Sequence, residues 1–274
     1  MSRHSFSSRG PVVLLAGFIA LSLASCDDSS TRPKPAAPQN RSTPARPDPT
    51  LATSPSGIAA ALQQLRAPDG PARKDGIAVA LLIDTSGSMN DAVPDADGSH
   101  RPKIDIARRC VLRVVKQAEG FAREQPGTPV LLGIYEFSTR NKSLCRNIVP
   151  LNAPSTAAAD NALKRLAANG GTPIGQAIIQ AKHDLDAAGL TRTHILVVTD
   201  GENTDGLAPA DVVTAIGKLP ETQRPGVYFV AFDVAAAVFK PAVDAGAAVL
   251  PAANEQQLQT ALDELVGGKI LLEK

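Results

Sequence analysis

Short apolar runs alternate with helix-period segments along most of the chain, from about residue 76 to residue 266. The apolar runs have the length of buried strands, whereas the longer segments repeat their apolar positions with the period of a helix. The pattern predicts strands at 77–83, 129–137, 143–149, 193–199, 226–232 and 247–250. It predicts helices at about 103–123, 155–168, 173–187, 209–218, 238–245 and 255–266.

This alternation favours a parallel sheet with helices on both faces, which is a doubly wound α/β domain. The gap at 138–142 is too short to hold a crossover helix, so the second and third predicted strands are expected to pair antiparallel at an edge. The predicted fold is therefore a six-stranded, mostly parallel sheet with one antiparallel edge strand. Such sheets bind ligands beyond the carboxyl ends of their strands, where the strand order reverses.

The amino-terminal segment has the composition of an export signal. Arg3 and Arg9 give it a positive start, and the apolar stretch at 12–23 is shorter than the roughly 20 residues that a spanning helix needs. The stretch ends in the sequence Leu-Ala-Ser-Cys26, which resembles the bacterial lipobox, where the cysteine becomes the lipidated first residue. We expect residues 1–25 to be a lipoprotein signal peptide and Cys26 to be lipidated, with an ordinary secretory signal as the alternative.

Residues 26–56 have the composition of a disordered tether. They are rich in proline, serine, threonine and alanine, with almost no bulky apolar side chains to offset the entropy of ordering. We expect one domain at 57–274, with its core at 76–266. Asp27 resembles the signal that retains lipoproteins in the inner membrane of enteric bacteria. The expected location is the extracytoplasmic face of the bacterial cell envelope, lipid-anchored, with the inner membrane favoured.

Charge and composition exclude some partners. Removal of the signal peptide takes away two of the 28 basic residues and leaves the chain near neutral against 27 acidic residues. No basic run with interleaved aromatic residues occurs, tryptophan is absent and aromatic residues make up 3%, which argues against binding of nucleic acid. Cys110 lies in an apolar helical pattern, so a buried free thiol is expected, with a disulfide to Cys145 as the alternative.

Candidate chemistry lies in loops that follow two of the predicted strands. Asp84, Ser86 and Ser88 form a DxSxS cluster after the first strand, and Asp200 follows the fourth. If those strands are neighbours, the two aspartates converge on one edge of the sheet. Carboxylate and hydroxyl oxygens suit a hard divalent cation. An ordinary strand-to-helix turn would explain the triplet alone, because aspartate, serine and glycine are common turn residues.

A third loop, at 169–173, places Thr172 beside two glycines and before a helix. Its hydroxyl is a further candidate ligand. Thr172 is also typical of a helix N-cap that is followed by proline at the first helical position. Both roles are compatible, because helices start at the carboxyl edge of such a sheet.

These three loops, in this order, resemble the von Willebrand factor type A family and its metal-ion-dependent adhesion site. The matching residues are Asp84, Ser86, Ser88, Thr172 and Asp200. The resemblance implies a Mg²⁺ site, or Mn²⁺ or Ca²⁺, with three hydroxyl ligands and two aspartates that act directly or through water. It also implies a protein-binding module in which a glutamate or aspartate of the partner completes the coordination of the metal.

The segment 90–101 departs from the compact loop of that family. Asp95, Asp97 and Ser99 resemble the start of a calcium loop, but His100 stands where such a loop needs glycine. We expect a solvated loop that lies next to the metal and influences the choice of partner.

Enzyme motifs are incomplete. A phosphatase with an aspartate nucleophile needs a second carboxylate nearby, where this chain has Ser86. Gly170 and Gly175 have the spacing of a phosphate loop, but Gln176 and Ala177 replace its lysine and hydroxyl residue. We therefore expect a binding protein. A metal-dependent hydrolase at the same site and a structural lipoprotein with a vestigial site stay open as alternatives.

Overall fold

The computed structural model describes residues 53–66, 72–95, 97–140 and 143–273. The expected signal peptide, Cys26 and nearly all of the expected tether lie outside the described residues. Within the described ranges, no helix is both long and apolar enough to cross a membrane.

A six-stranded sheet forms the centre of the described domain. The described residues form eight strands, of which β2 and β3 pair only with each other and the other six form this sheet. The strands are β1 Lys74–Asp84, β2 Ala92–Pro94, β3 His100–Pro102, β4 Val130–Phe137, β5 Cys145–Asn152, β6 Leu190–Thr199, β7 Gly226–Phe232 and β8 Ala248–Ala252. The sheet has the order β5-β4-β1-β6-β7-β8, and β5 is its one antiparallel member. The predicted fold class is confirmed, including the antiparallel edge strand.

Helices cover both faces of the sheet. They are α1 Pro55–Leu65, α2 Lys103–Glu124, α3 Thr156–Leu163, α4 Ile174–Ala188, α5 Pro209–Gly217, α6 Lys240–Asp244 and α7 Glu255–Leu265. The first hydrophobic layer contains α2, α3 and α7, and the second contains α1, α4, α5 and α6. Since β1 lies between these layers, its successive side chains point to opposite layers. Leu81 belongs to the first layer and Leu82 to the second. Both sets are apolar, which is why β1 has a continuous apolar sequence.

The helix α1 is absent from the sequence prediction, and it begins inside the region where a tether is expected. The hydroxyl of Ser54 accepts a hydrogen bond from the amide of Gly57 at 2.9 Å, and the amide of Ser54 donates to Asp211 on α5 at 2.7 Å. Ala61 and Leu65 are buried against the second layer. The described core therefore extends beyond 76–266.

The helix α3 ends five residues before its predicted end at 168. The amide of Asn169 donates to the carbonyl of Thr85 at 2.8 Å, so the chain must leave the helix early to reach the end of β1. The predicted helix at 238–245 is likewise shorter, because a 3₁₀ turn at Ala236–Phe239 precedes α6.

The segment 90–101 is not the plain solvated loop that the sequence predicts. Its ends pair as the antiparallel strands β2 and β3, and Val93 is buried in the first layer. The Asp95 carboxylate forms an ion pair with Arg109 of α2 at 2.9 Å. The hairpin is thus held to the first layer by Val93 and to α2 by this ion pair.

Cys110 and Cys145 are both free and buried, and they belong to opposite layers of the core. The sheet separates them, so the predicted free thiol at Cys110 is confirmed. Burial raises the pKa of each thiol to about 12.

Both thiols are expected to resist alkylation in the native protein, because only the thiolate is a good nucleophile. At neutral pH a cysteine with such a pKa holds on the order of a thousandfold less thiolate than an ordinary one. Iodoacetamide labelling with peptide mass spectrometry should show slow modification of Cys110 and Cys145 in buffer and rapid modification in denaturant. Rapid native labelling of either residue would contradict the burial.

Candidate functional site

Two of the predicted site residues meet at the carboxyl edge of the sheet. Asp84 is the last residue of β1, and Asp200 directly follows the neighbouring strand β6. Asp84 is fully buried and Asp200 is nearly so. The chain runs outward through β4 and β5 before it returns to β6, so this edge lies at the reversal of strand order where ligands bind. The predicted convergence of the two aspartates is confirmed.

Hydrogen bonds join the DxSxS cluster to Asp200. The hydroxyl oxygens of Ser86 and Ser88 lie 3.2 Å apart, and the Ser88 hydroxyl donates to Asp200 Oδ1 at 2.8 Å. The Ser86 amide donates to Asp84 Oδ1 at 2.7 Å, and the hydroxyl of Thr199 donates to Asp84 Oδ2 at 2.6 Å. Four of the five predicted residues therefore form one connected group of oxygen atoms.

Thr172 lies at the same edge. A β-carbon added to Gly201 would be 3.9 Å from both Ser88 Oγ and Thr172 Oγ1, so these two hydroxyls flank that glycine. Thr172 does not cap α4, because Pro173 is the capping residue and no side chain completes the cap. The interpretation of Thr172 as the N-cap is therefore wrong. Its amide donates to the Thr204 hydroxyl at 2.7 Å, which fixes the loop from the other side.

Backbone hydrogen bonds link the first loop to the third. The amide of Gly87 donates to the carbonyl of Gly170 at 2.9 Å. Gly170 has φ of 88°, and a β-carbon there would lie 2.8 Å from the amide nitrogen of Arg140. Only glycine fits this position without strain, because L residues rarely adopt positive φ. The three loops are thus joined by hydrogen bonds into one rim, which we call the β1–β6 rim and define by Asp84, Ser86, Ser88, Thr172 and Asp200.

The electrostatics of the rim favour a bound cation. The pKa of Asp84 is raised to about 7, mainly by burial and also by the charge of Asp200, against the opposing effect of hydrogen bonds from Thr199 and Ser86. A carboxylate with a raised pKa is one whose negative charge is poorly compensated. A cation near Asp84 would supply the missing compensation.

Lys103 and Asp233 belong to the rim region but were not found from the sequence. Lys103 is buried at the first position of α2, and its Nζ lies 3.0 Å from Asp200 Oδ2 and 2.9 Å from Asp233 Oδ2. Burial alone would lower the pKa of Lys103, but its bonds with Asp233 and Asp200 outweigh this effect and raise it. Asp233 directly follows β7, so the strand-end rule that identified the other aspartates would have found it. A lysine in the first helical turn is also a signal, because the helix dipole disfavours a cation there.

The donor set fits a hard divalent cation. In the described part of the chain, no group of three or more His, Cys, Asp or Glu side chains could hold a metal ion. A metal at the rim would therefore need hydroxyl ligands as well. Two carboxylates and three hydroxyls provide oxygen donors only, and Mg²⁺, Mn²⁺ and Ca²⁺ prefer such donors. The residues present are therefore compatible with one of these ions.

Comparison with known proteins identifies similar chains. The family model of the von Willebrand factor type A domain matches residues 78–250, which is more than half of the 274 residues. The chain is 31% identical over 142 residues to the uncharacterized protein YwmD of Bacillus subtilis (strain 168). That match covers 48% of this chain and 58% of YwmD.

Solved structures show a related fold. The PilB minor pilin from Streptococcus sanguinis has a TM-score of 0.56 at 15% identity, over 75% of this chain and 63% of the pilin. The pilus adhesin SpaC from Lactobacillus rhamnosus GG has a TM-score of 0.52 at 14% identity, over 75% of this chain and 34% of the adhesin. The chain thus spans less than two thirds of the length of each of these relatives.

Proposed function

Since the chain belongs to the von Willebrand factor type A domain family, we propose that it is a binding protein that contacts its partner through a divalent metal at the β1–β6 rim. The observation that carries this proposal is the hydrogen-bonded group of Asp84, Ser86, Ser88 and Asp200, which two loops bring together at the strand-order reversal, with the Thr172 hydroxyl of a third loop beside it. Two of the structural relatives are a minor pilin and a pilus adhesin, which is consistent with a role in contacts between proteins.

The metal would be Mg²⁺, with Mn²⁺ or Ca²⁺ as the alternatives. Ser86, Ser88 and Thr172 would offer neutral hydroxyl oxygens, and Asp84 and Asp200 would act directly or through water. Mg²⁺ keeps several waters when a protein offers few charged ligands. An ion held mainly by neutral ligands stays strongly electrophilic, and a bound metal would supply a strong attraction for an external carboxylate.

The partner would bind on the open side of the rim. Ser88 and the adjacent Gly87 are exposed, whereas Asp84 lies beneath them at the end of β1. A glutamate or aspartate of the partner protein could therefore reach the metal from the side of Ser88. The hairpin of β2 and β3 follows this loop directly and would contribute to the choice of partner.

The module would act outside the cytoplasm. Lipidation of Cys26 would anchor the chain in the bacterial cell envelope, with Asp27 favouring the inner membrane. The proline-rich tether would hold the domain away from the lipid surface. At about 3.1 Å per residue in polyproline II, a fully extended tether of this length would reach on the order of 90 Å.

Affinity capture from solubilised membranes tests the proposal. We expect the wild-type chain to retain its partner in Mg²⁺ and to lose it in EDTA, and Asp84→Ala to lose it in both conditions. The matched control is Asp75→Ala, which changes the same residue type on β1 at the opposite end of the strand, where its side chain is 78% exposed. A partner that EDTA does not release would overturn docking through a metal.

A further inference from the structure

Lys103 is a second cation at the proposed metal site. We propose that Lys103 is a built-in competitor of the divalent metal, which compensates the charge of Asp200 when the metal is absent and weakens metal binding. This inference rests on the metal site of the proposed function and assigns a residue that sets its affinity.

The position of Lys103 between two strand ends carries the argument. Its Nζ lies 3.0 Å from Asp200 Oδ2, beyond β6, and 2.9 Å from Asp233 Oδ2, beyond β7. The Lys103 side chain is 6% exposed and the Asp233 side chain is 42% exposed. The ammonium group therefore lies beneath the rim, with Asp233 between it and the solvent.

Asp200 connects this ion pair to the proposed ligands. Its Oδ1 accepts from the Ser88 hydroxyl at 2.8 Å, while its Oδ2 binds Lys103. One carboxylate is thus shared between the serine loop and the lysine. A metal that draws on the charge of Asp200 must compete with Lys103 for it, because both cations are attracted to the same carboxylate.

The backbone of Asp233 supports a role for its charge. Asp233 has φ of 54°, and among the described residues it is the one non-glycine residue with positive φ. Its amide donates to the carbonyl of Ala252 at 2.7 Å, which fixes this conformation. Glycine would adopt the same backbone with less strain. An aspartate at this position supplies a carboxylate for Lys103, which a glycine would lack.

The first turn of α2 is an unfavourable position for a lysine side chain, so a purely structural role does not explain Lys103. The amino-terminal end of α2 carries a partial positive charge, which repels a lysine side chain in the first turn. Lys103 therefore depends on Asp200 and Asp233 for its stability at this position. A residue that depends on a proposed metal ligand in this way must also affect how that ligand binds a metal.

Calorimetric titration of the purified full-length chain with Mg²⁺ tests the inference. Lys103→Met removes the competing charge and is expected to tighten Mg²⁺ binding by about tenfold or more, given the strength of charge interactions at such distances. Lys103→Arg keeps the charge and should stay near the wild-type affinity. The matched control is Lys116→Met, which removes an exposed lysine from the same helix and should leave the affinity unchanged.

Asp233→Asn provides an independent test that leaves α2 intact. It removes one carboxylate from Lys103, so the lysine charge acts more strongly on Asp200, and Mg²⁺ binding should weaken severalfold. An unchanged or tighter affinity in Asp233→Asn would overturn the inference, even if Lys103→Met does not fold.

The outcomes separate the inference from the proposed function. If the wild type binds Mg²⁺ and a folded Lys103→Met variant binds it equally or more weakly, the competitor role is wrong while the metal site stands. If neither protein binds Mg²⁺, Mn²⁺ or Ca²⁺, the metal site itself is wrong and the inference falls with it.

Discussion

Mg²⁺ is expected to raise the melting temperature of the wild-type protein, and Asp84→Asn is expected to abolish this rise. A ligand that binds only the native state stabilises it by about 2.7 kcal/mol at a hundred times its Kd and by about 4.1 kcal/mol at a thousand times. Asp84 is fully buried in the β1–β6 rim, and it contacts both the Ser86 amide and the Thr199 hydroxyl. The Asp84→Asn variant should lose this whole metal-dependent increment.

The same substitution is expected to leave the metal-free protein as stable as the wild type or more stable. Asp84 has a raised pKa because burial disfavours its charge, and a buried charge without compensation destabilises the native state. Asparagine has nearly the same shape, and its carbonyl oxygen can still accept one of the two hydrogen bonds. Thermal melts in EDTA and in a Mg²⁺ series, with Asp75→Asn as the control, measure both effects.

The two effects distinguish a metal ligand from a merely structural aspartate. A structural role predicts a lower melting temperature in EDTA and an unchanged response to Mg²⁺. A variant that melts earlier in EDTA and still gains stability from Mg²⁺ would contradict the assignment of Asp84 to the metal site.

Much of the fold was predictable because its strands are buried on both sides. The apolar run at 77–83 has no polar face, so it indicated a strand that is buried on both sides, and β1 lies between the two hydrophobic layers. The short gap after Phe137 indicated the antiparallel edge strand for a similarly local reason. The convergence of Asp84 and Asp200 then followed from strand order, not from any local feature of the two loops.

The missed elements depend on contacts that are distant in sequence. The helix α1 contains mainly small residues, and its start is fixed by the bond between Ser54 and Asp211, which lie 157 positions apart. The ion pair of Lys103 with Asp233 joins residues whose proximity depends on the whole sheet. A sequence pattern reports only local periodicity. It therefore identified the ends of strands but not Lys103, whose side chain joins Asp200 after β6 to Asp233 after β7.

Gly175→Ala and Gly120→Ala are expected to change stability in opposite directions. A β-carbon on Gly175, near the start of α4, would lie 2.1 Å from the carbonyl oxygen of Leu207 and 3.2 Å from Val212 Cγ2. Backbone at that distance must move, and overpacking of this kind costs about 1–3 kcal/mol or more. A β-carbon on Gly120, inside α2, would meet no heavy atom within 4 Å. Alanine there should stabilise the helix by about 0.5–1 kcal/mol.

The structural change that destabilises Gly175→Ala should also weaken the proposed metal site. The segment that must move includes Asn203, whose Oδ1 accepts from the Gly175 amide at 3.4 Å, and Thr204, whose hydroxyl holds the Thr172 amide at 2.7 Å. Displacement of these residues would disturb the position of Thr172, so Mg²⁺ binding should weaken together with stability. Urea unfolding and Mg²⁺ titration of both variants test this link. A Gly175→Ala protein with wild-type stability and affinity would show that Leu207 does not press on α4, whereas Gly120→Ala should bind Mg²⁺ normally because it lies away from the rim.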